Sequence, residues 1–516
     1  MILGNRSHSP ANIERGSTLD DLFRHAAEKR PDSLALLDPP DRQSFTDRTA
    51  RRLTYAQADQ AINALAERLT NFGFSDGAVV AVQLPNTVES ILTLLGVLRA
   101  GLIASPIPLL WRHAEITPAL ARIGARALIA CQRVGSTDHG EIAMQVAADT
   151  FAIRFVGGFG QKLPDGVIPL DDIFEETAST APTLERSGNP ADHLAVVTWD
   201  VTPDGVIPVA RSHAELIAGG HAVYGEAQIA PNASILAAMP TWSFAGLASV
   251  LVPWLLSGGT LSLHHPFSPA IFDTQCSSNR CETIILPGPV ATRMQEAGLI
   301  GAVRGQKSII ALWRAPERMG SASPWIDAVP LIDVTAFGEV GLVAIRRGAK
   351  GLPAQIPVGT ISTSNGSGDP MRVIEVARSA TGSIALRGPM VPHYTFPPGI
   401  ERSSGIRLKI ADDGFIDTGY GCRLDNETKM LTIDRPPPGV ISIGGYRFLL
   451  RELQNVIATL DKHGSVTALP DMLNGNRLGG LGDDRYAIYD ALIEMGANPL
   501  LIGAFSDRRL ERASAA

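Results

Sequence analysis

A short apolar run limits the folds open to this chain more than any other feature. Val79-Val-Ala-Val-Gln-Leu84 is almost continuously hydrophobic. A half-buried strand would alternate, so an unbroken run marks a strand covered on both faces, as in a parallel sheet. Residues 87–100 read as a helix, and Asn86 followed three positions later by Glu89 reads as a capping-box variant opening it. Upstream, Ala58, Ala61, Ile62, Leu65 and Leu69 fall on one face of a helix over residues 58–72, which Gly73 stops. Strand and helix alternate in this way to about residue 300, which predicts an α/β fold of layered parallel sheets. Thr360 to Val376 and Gly382 to Pro389 predict shorter strands with turn residues between them, as in a small β-barrel.

Three consecutive prolines, Pro436 to Pro438, cannot join a helix or a central strand. They place a linker at Asp434–Gly439 and divide the chain into a large domain, residues 1–433, and a small C-terminal domain, 434–516. In the second part Val440 to Ile443 predicts a strand, Leu450 to Leu460 an amphipathic helix and Asp483 to Met495 a last helix ended by Gly496. The expectation there is a shortened α+β domain, with residues 508–516 as a frayed tail.

The 516 residues carry a net charge of −7, which argues against a general nucleic-acid binder. The four cysteines, Cys131, Cys276, Cys281 and Cys422, form no CxxC pair and read as buried thiols of a reducing compartment, hence a cytoplasmic protein. The longest apolar region, Ser90 to Trp111, is broken by Arg99, Pro106 and Pro108, and reads as a buried helix plus strand with no membrane span.

Six blocks, in order, resemble the adenylate-forming acyl-CoA synthetases. They are Leu53-Thr-Tyr-Ala-Gln through Val82-Gln-Leu-Pro-Asn86 to Leu98-Arg-Ala-Gly101; Met239-Pro-Thr-Trp-Ser-Phe-Ala-Gly246; Thr335-Ala-Phe-Gly-Glu-Val-Gly341; Gly382 to Pro389; Phe415-Ile-Asp-Thr-Gly-Tyr420; and Arg435 with Gly444-Gly-Tyr-Arg-Phe448. The resemblance spans roughly residues 18–480. It implies ATP-dependent activation of a carboxylic acid through an acyl-adenylate to a thioester, with ATP, Mg2+ and coenzyme A as cofactors and an acyl ligand as substrate. Protein partners and oligomeric state are not implied by it.

Residue by residue, the resemblance places Glu339 as the magnesium ligand, Arg435 and Tyr420 beside the ribose, and Thr335 at the nucleotide. Trp242, Ser243 and Phe337 fall in blocks that line the acyl pocket. Each has a plainer alternative: a surface carboxylate or salt bridge for Glu339 and Arg435, core packing for the aromatic residues.

The reactive parts depart from the family's pattern. Its phosphate loop is rich in Gly, Thr and Lys; here Thr198 to His213 holds one glycine, Gly205, and no lysine. Thr198, Thr202 and Gly205 remain as polar or flexible positions, Asp200 and Asp204 would repel a triphosphate, and Arg211 is the one fixed cation nearby. The segment reads either as an altered cradle or as a plain surface loop. Tyr420 replaces an aspartate, and no lysine follows Lys462, leaving Arg508, Arg509 or Arg512 as rough substitutes. Losing two charge stabilisers would slow adenylation by roughly four orders of magnitude if nothing compensates. The sequence therefore supports a ligase of altered or weak activity and, as its competitor, a non-catalytic pseudo-ligase that binds an acyl group, a nucleotide or a partner protein. The proline run further predicts a stiff hinge with reduced small-domain rotation.

Overall fold

The structure is a computed structural model that describes residues 16–176, 187–364, 370–398 and 405–506. Arg508, Arg509 and Arg512 lie outside the described residues.

Two sheets carry the larger part of the chain. One has seven strands, in the order Ile168–Pro169, Phe155–Phe159, Ala127–Cys131, Val79–Gln83, Ile103–Pro106, Leu194–Thr202 and Gly205–Ser212. All its pairings are parallel except the last, an antiparallel hairpin. The other has eight strands; Leu34–Leu37, Thr260–Leu263, Ser234–Ala237, Thr283–Pro287, Ser308–Trp313 and Leu331–Phe337 run parallel, with antiparallel Arg52–Thr54 and Gly341–Arg346 at the edges. The run that marked a doubly covered strand is Val79–Gln83, buried at every position.

Helix Val88–Arg99 lies in the apolar core shared by both sheets and is buried on all sides. Its N-terminus is not closed by the expected capping box. The N-cap is Thr87, and the Val88 N–H donates to Asp38 Oδ1 at 2.8 Å. Asn86 instead donates to the carbonyls of Ala237 and His264, and Glu89 takes the Arg42 guanidinium. A carboxylate distant in sequence thus supplies the cap, because the helix end is buried where Asp38, Arg42 and Glu89 meet. Helix Tyr55–Asn71, in contrast, carries its own capping box, Thr54 with Gln57.

Six described strands between Ile356 and Arg435 form an antiparallel sheet. Its edge strands, Ile356–Pro357 and Gly359–Ser364, are adjacent in sequence, so the sheet curls toward a barrel. After Arg435 come two hairpins, Val440–Ile443 with Tyr446–Leu449 and Ser465–Asp471 with Gly475–Leu481. Helices Leu450–Leu460, Arg485–Glu494 and Pro499–Gly503 accompany them. Ile443, Phe448, Leu453, Ile457, Ile488 and Leu492 give this part a core of its own. It is tied to the preceding residues by Asn498 Nδ2 on Glu115 (2.8 Å), Ala114 N–H on the Gly496 carbonyl (3.3 Å), Arg318 on the Asp471 carbonyl (3.2 Å) and Arg451 on the Asp204 carbonyl (3.2 Å). No helix among the described residues is long and apolar enough to cross a membrane. All four cysteines are buried and unpaired.

Candidate functional site

In open α/β sheets ligands bind outside the carboxyl ends of the strands. Here those ends carry Trp242, Arg314 and the Gly338-Glu339 turn, and they meet the hairpin of residues 194–212.

That hairpin decides what the site can hold. Its strands pair antiparallel from Leu194↔Ser212 to Thr202↔Gly205, with a register shift between Leu194 and Val196, leaving only Pro203 and Asp204 as the turn. The backbone groups that face across the hairpin are bonded to each other. Thr198 is fully buried and its hydroxyl donates to the Val209 carbonyl at 3.4 Å. Thr202 donates to the Gly205 carbonyl at 3.0 Å and accepts the Asp204 N–H at 3.3 Å. Gly205 has φ +142°, the conformation that closes the turn. The expected loop is therefore a buried hairpin, because Trp199, Val201 and Ile207 have apolar partners to pack against.

Arg211, expected to face phosphate, points inward. It is fully buried, lies 3.8 Å over the Phe244 ring, and donates to the carbonyls of Glu339, Val340 (2.9 Å) and Met390 (3.4 Å). Burial pulls its guanidinium down to about 10. Glu339 is buried too. Its Oε2 accepts the Phe244 N–H at 2.6 Å and its Oε1 faces Arg314 Nη2 at 3.5 Å. Burial raises its carboxyl above the usual range, opposed chiefly by the Arg314 guanidinium.

Asp200, which the sequence presented as a charge repelling phosphate, is the centre of the site. It pairs with Arg447 of the 446–449 strand; both side chains are 5% exposed, which makes this a nearly buried ion pair at the margin of the neighbouring cleft. Its other oxygen accepts the Glu339 N–H at 3.0 Å. The pair occupies the space over Gly338, whose φ is +58°. A β-carbon there would stand 2.5 Å from Asp200 Oδ2 and also inside contact distance of Arg447 Nη1. The lack of a side chain at 338 and the ion pair between 200 and 447 thus depend on one another.

Next to the pair, Tyr446 stacks on Trp242 with ring centres 5.0 Å apart and planes 6° apart, and the Arg314 guanidinium lies 3.9 Å over Trp242. Ser243 caps the turn 244–246, its hydroxyl accepting the Gly246 N–H at 3.2 Å. Phe337 and Tyr420 are both buried and meet edge-to-face at 5.7 Å. Burial pushes the Tyr420 hydroxyl up to about 12. Thr335 is buried beside Met319 Sδ at 3.8 Å. Arg211, Glu339, Trp242, Ser243, Phe337 and Tyr420 therefore come together, but as a packed cluster completed by Asp200, Arg314, Tyr446 and Arg447.

Thr202 and Arg435 lie apart from it, on a neighbouring cleft of 610 Å³ between the hairpin, the curled sheet and Pro436–Pro438. Arg435 is mostly exposed and pairs with Asp434 at 3.2 Å. Asp417 lines the same cleft and accepts from Ser383 (2.5 Å), Thr381 (2.8 Å) and the Gly419 N–H (2.9 Å). Burial opposes its ionisation, yet these bonds hold its carboxyl below the usual range.

Mg2+ and ATP do not fit the residues as arranged. Glu339 has both oxygens engaged, by the Phe244 N–H and the Arg314 guanidinium, and the Asp200 carboxylate and the Arg447 guanidinium neutralise each other.

Residues 23–199 match the family model described as AMP-binding enzyme. The chain is 26% identical over 499 residues to 2-hydroxy-7-methoxy-5-methyl-1-naphthoate–CoA ligase of Streptomyces carzinostaticus, covering 91% of this chain and 84% of that protein. It is 27% identical to long-chain fatty acid transport protein 1 of Bos taurus over 291 residues, 53% of this chain and 41% of that protein, so this match spans less than half of the relative's length. Among solved structures the amide bond synthetase McbA from Marinactinospora thermotolerans superposes with a TM-score of 0.69 at 16% identity, covering 94% of each chain, a likeness of fold. These matches support a likeness to the adenylate-forming acyl-CoA ligases.

Proposed function

We propose that this protein is an acid–thiol ligase of the acyl-CoA synthetase type in which ATP-dependent activation of the carboxylic acid is slow. One observation carries the reading. Tyr446 and Arg447, from the hairpin that follows the proline linker, occupy the crevice at Trp242 and Asp200. Nucleotide enters only when that hairpin leaves. We take residues 1–433 as the large domain and 434–516 as the small one, so that departure is a domain movement. Three prolines stiffen the hinge, and rupture of a buried ion pair adds to the barrier.

With the hairpin withdrawn, Asp200 would lose its Arg447 partner and be open to a divalent cation, and Thr202 and Arg435 already border the adjoining cleft. Coenzyme A is the acceptor thiol that fits the family. The buried, unpaired cysteines suit a cytoplasmic setting.

A second reading, a pseudo-ligase that binds without turnover, is favoured by the tight two-residue turn that closes the hairpin of residues 194–212. ATP–pyrophosphate exchange with a panel of aliphatic and aromatic acids separates the two. Exchange above background that disappears in Glu339→Gln supports a slow ligase. No exchange with any acid supports the pseudo-ligase.

A further inference from the structure

A second cavity, of 380 Å³, lies on the opposite face of the same hairpin. Side chains alternate across a strand, so Asp200 and Thr202 face the cleft while Trp199 and Val201 face helix His113–Ile123. The far wall is built from Leu449, Leu453, Val456 and Leu501. The cavity is thus closed by two separate parts of the chain, and its lining is mostly hydrocarbon. The indoles of Trp111 and Trp199 stand 5.7 Å apart at one side, tilted by 56°.

Polar groups on the wall are few and nearly all engaged. Glu115 accepts the Arg112 N–H at 2.9 Å and the Asn498 amide at 2.8 Å. Arg122 donates to the Val206 carbonyl at 2.7 Å. Glu452, at the rim, is exposed, and partial desolvation raises its carboxyl. Arg447 differs. Its Nη1 holds Asp200, but its Nε is buried and has no hydrogen-bond partner, and the residue borders both cavities. A buried donor without an acceptor costs stability until a ligand or water supplies one. An apolar chamber of this size with an unpartnered guanidinium N–H of Arg447 at its edge has the make-up of a small-molecule site.

We propose that this cavity binds an apolar carboxylic acid, its hydrocarbon body against Trp111, Trp199, Leu453 and Leu501 and its carboxylate on Arg447. It differs from the crevice at Trp242, Ser243 and Phe337, which is packed shut. The proposal rests on the acyl-ligand part of the reading above and needs no ATP turnover. Because the occupant touches both walls, it favours the docked arrangement of the C-terminal part over a detached one.

The test uses the full chain without nucleotide. Dodecanoate is titrated while tryptophan fluorescence and calorimetric heat are followed. Saturable one-site binding is expected, with dodecanol weaker because it lacks the carboxylate. Val456→Phe, which fills the cavity from a part-exposed helix position, weakens dodecanoate roughly tenfold or more. Arg447→Met brings dodecanoate down to the affinity of dodecanol. The proposal is overturned if no saturable binding occurs, or if neither substitution changes it. It is equally overturned if Trp242→Ala abolishes binding while Val456→Phe does not, since the acid then sits in the crevice. Failure of pyrophosphate exchange would leave these outcomes untouched.

Discussion

Adding a single methyl group at Gly338 should pull the site apart. In Gly338→Ala the new β-carbon stands 2.5 and 2.7 Å from the two Asp200 oxygens and close to Arg447 Nη1. Neither charged group can stay, so the buried pair opens. Breaking a buried ion pair typically costs about 3–5 kcal/mol. A non-glycine residue at φ +58° adds roughly 1–2 kcal/mol. The summed loss is about 4–7 kcal/mol, read as a drop in unfolding free energy in urea titrations followed by intrinsic fluorescence. Gly348→Ala is the control, because a β-carbon there meets nothing within 4 Å and its φ is ordinary. It should change stability by less than about 0.5 kcal/mol. If Gly338→Ala stayed within about 1 kcal/mol of the parent protein, the claim that positions 200, 338 and 447 form one coupled unit would be wrong.

Two further outcomes follow from the same contacts. Tyr446→Ala removes the stack on Trp242, worth about 0.5–1.5 kcal/mol beyond its buried area, and should loosen the C-terminal part. Limited proteolysis in the linker 434–439 should then quicken; an unchanged rate would show that the stack does not hold the hairpin in place. Stability should also fall on mild acidification. Burial holds His139 down to about 3 and His221 and His265 down to about 4. In the unfolded chain they titrate near 6.5, so between about pH 4 and 6.5 the unfolded state binds more protons and stability rises with pH. Asp38, raised by burial to about 6, works against them: the folded state keeps its proton above the unfolded value, so this contribution falls as pH rises. The raised carboxyls of Glu115, Glu317 and Glu339 act with Asp38, and the lowered His264 acts with the other histidines. The histidine contributions are the larger, so a net loss on the order of a few kcal/mol is expected from about pH 7 to about pH 5. Denaturation midpoints across that range that stay flat would contradict the assignment.

Much of the framework was readable from local pattern. The apolar run at 79–84, the helical face from Ala58 to Leu69 and the helix 450–460 each follow from a repeat that needs no distant partner. The site was less readable, for two reasons. Residues 198–213 were matched to a loop by position along the family pattern, although Trp199, Val201 and Ile207 around Pro203-Asp204 carried the signal of two strands and a turn. Asp200 and Arg447 lie 247 residues apart, and one sequence gives no sign that opposite charges at that separation will meet. Arg211 failed for a related reason: its linear place says nothing about whether it faces solvent or the carbonyls of Glu339 and Val340. Arg314 and Tyr446 were missed because their role comes only from stacking on Trp242.

The account's central claim is that the crevice is closed by the protein's own Tyr446 and Arg447 and is poorly shaped for polyphosphate. Calorimetric titration of the full chain with Mg2+ and ATP tests it most directly. No measurable binding is expected at ligand concentrations up to about 1 mM, above which the free energy of association is only about 4 kcal/mol. Saturable binding in the micromolar range, with Asp200 and Arg447 intact, would contradict it.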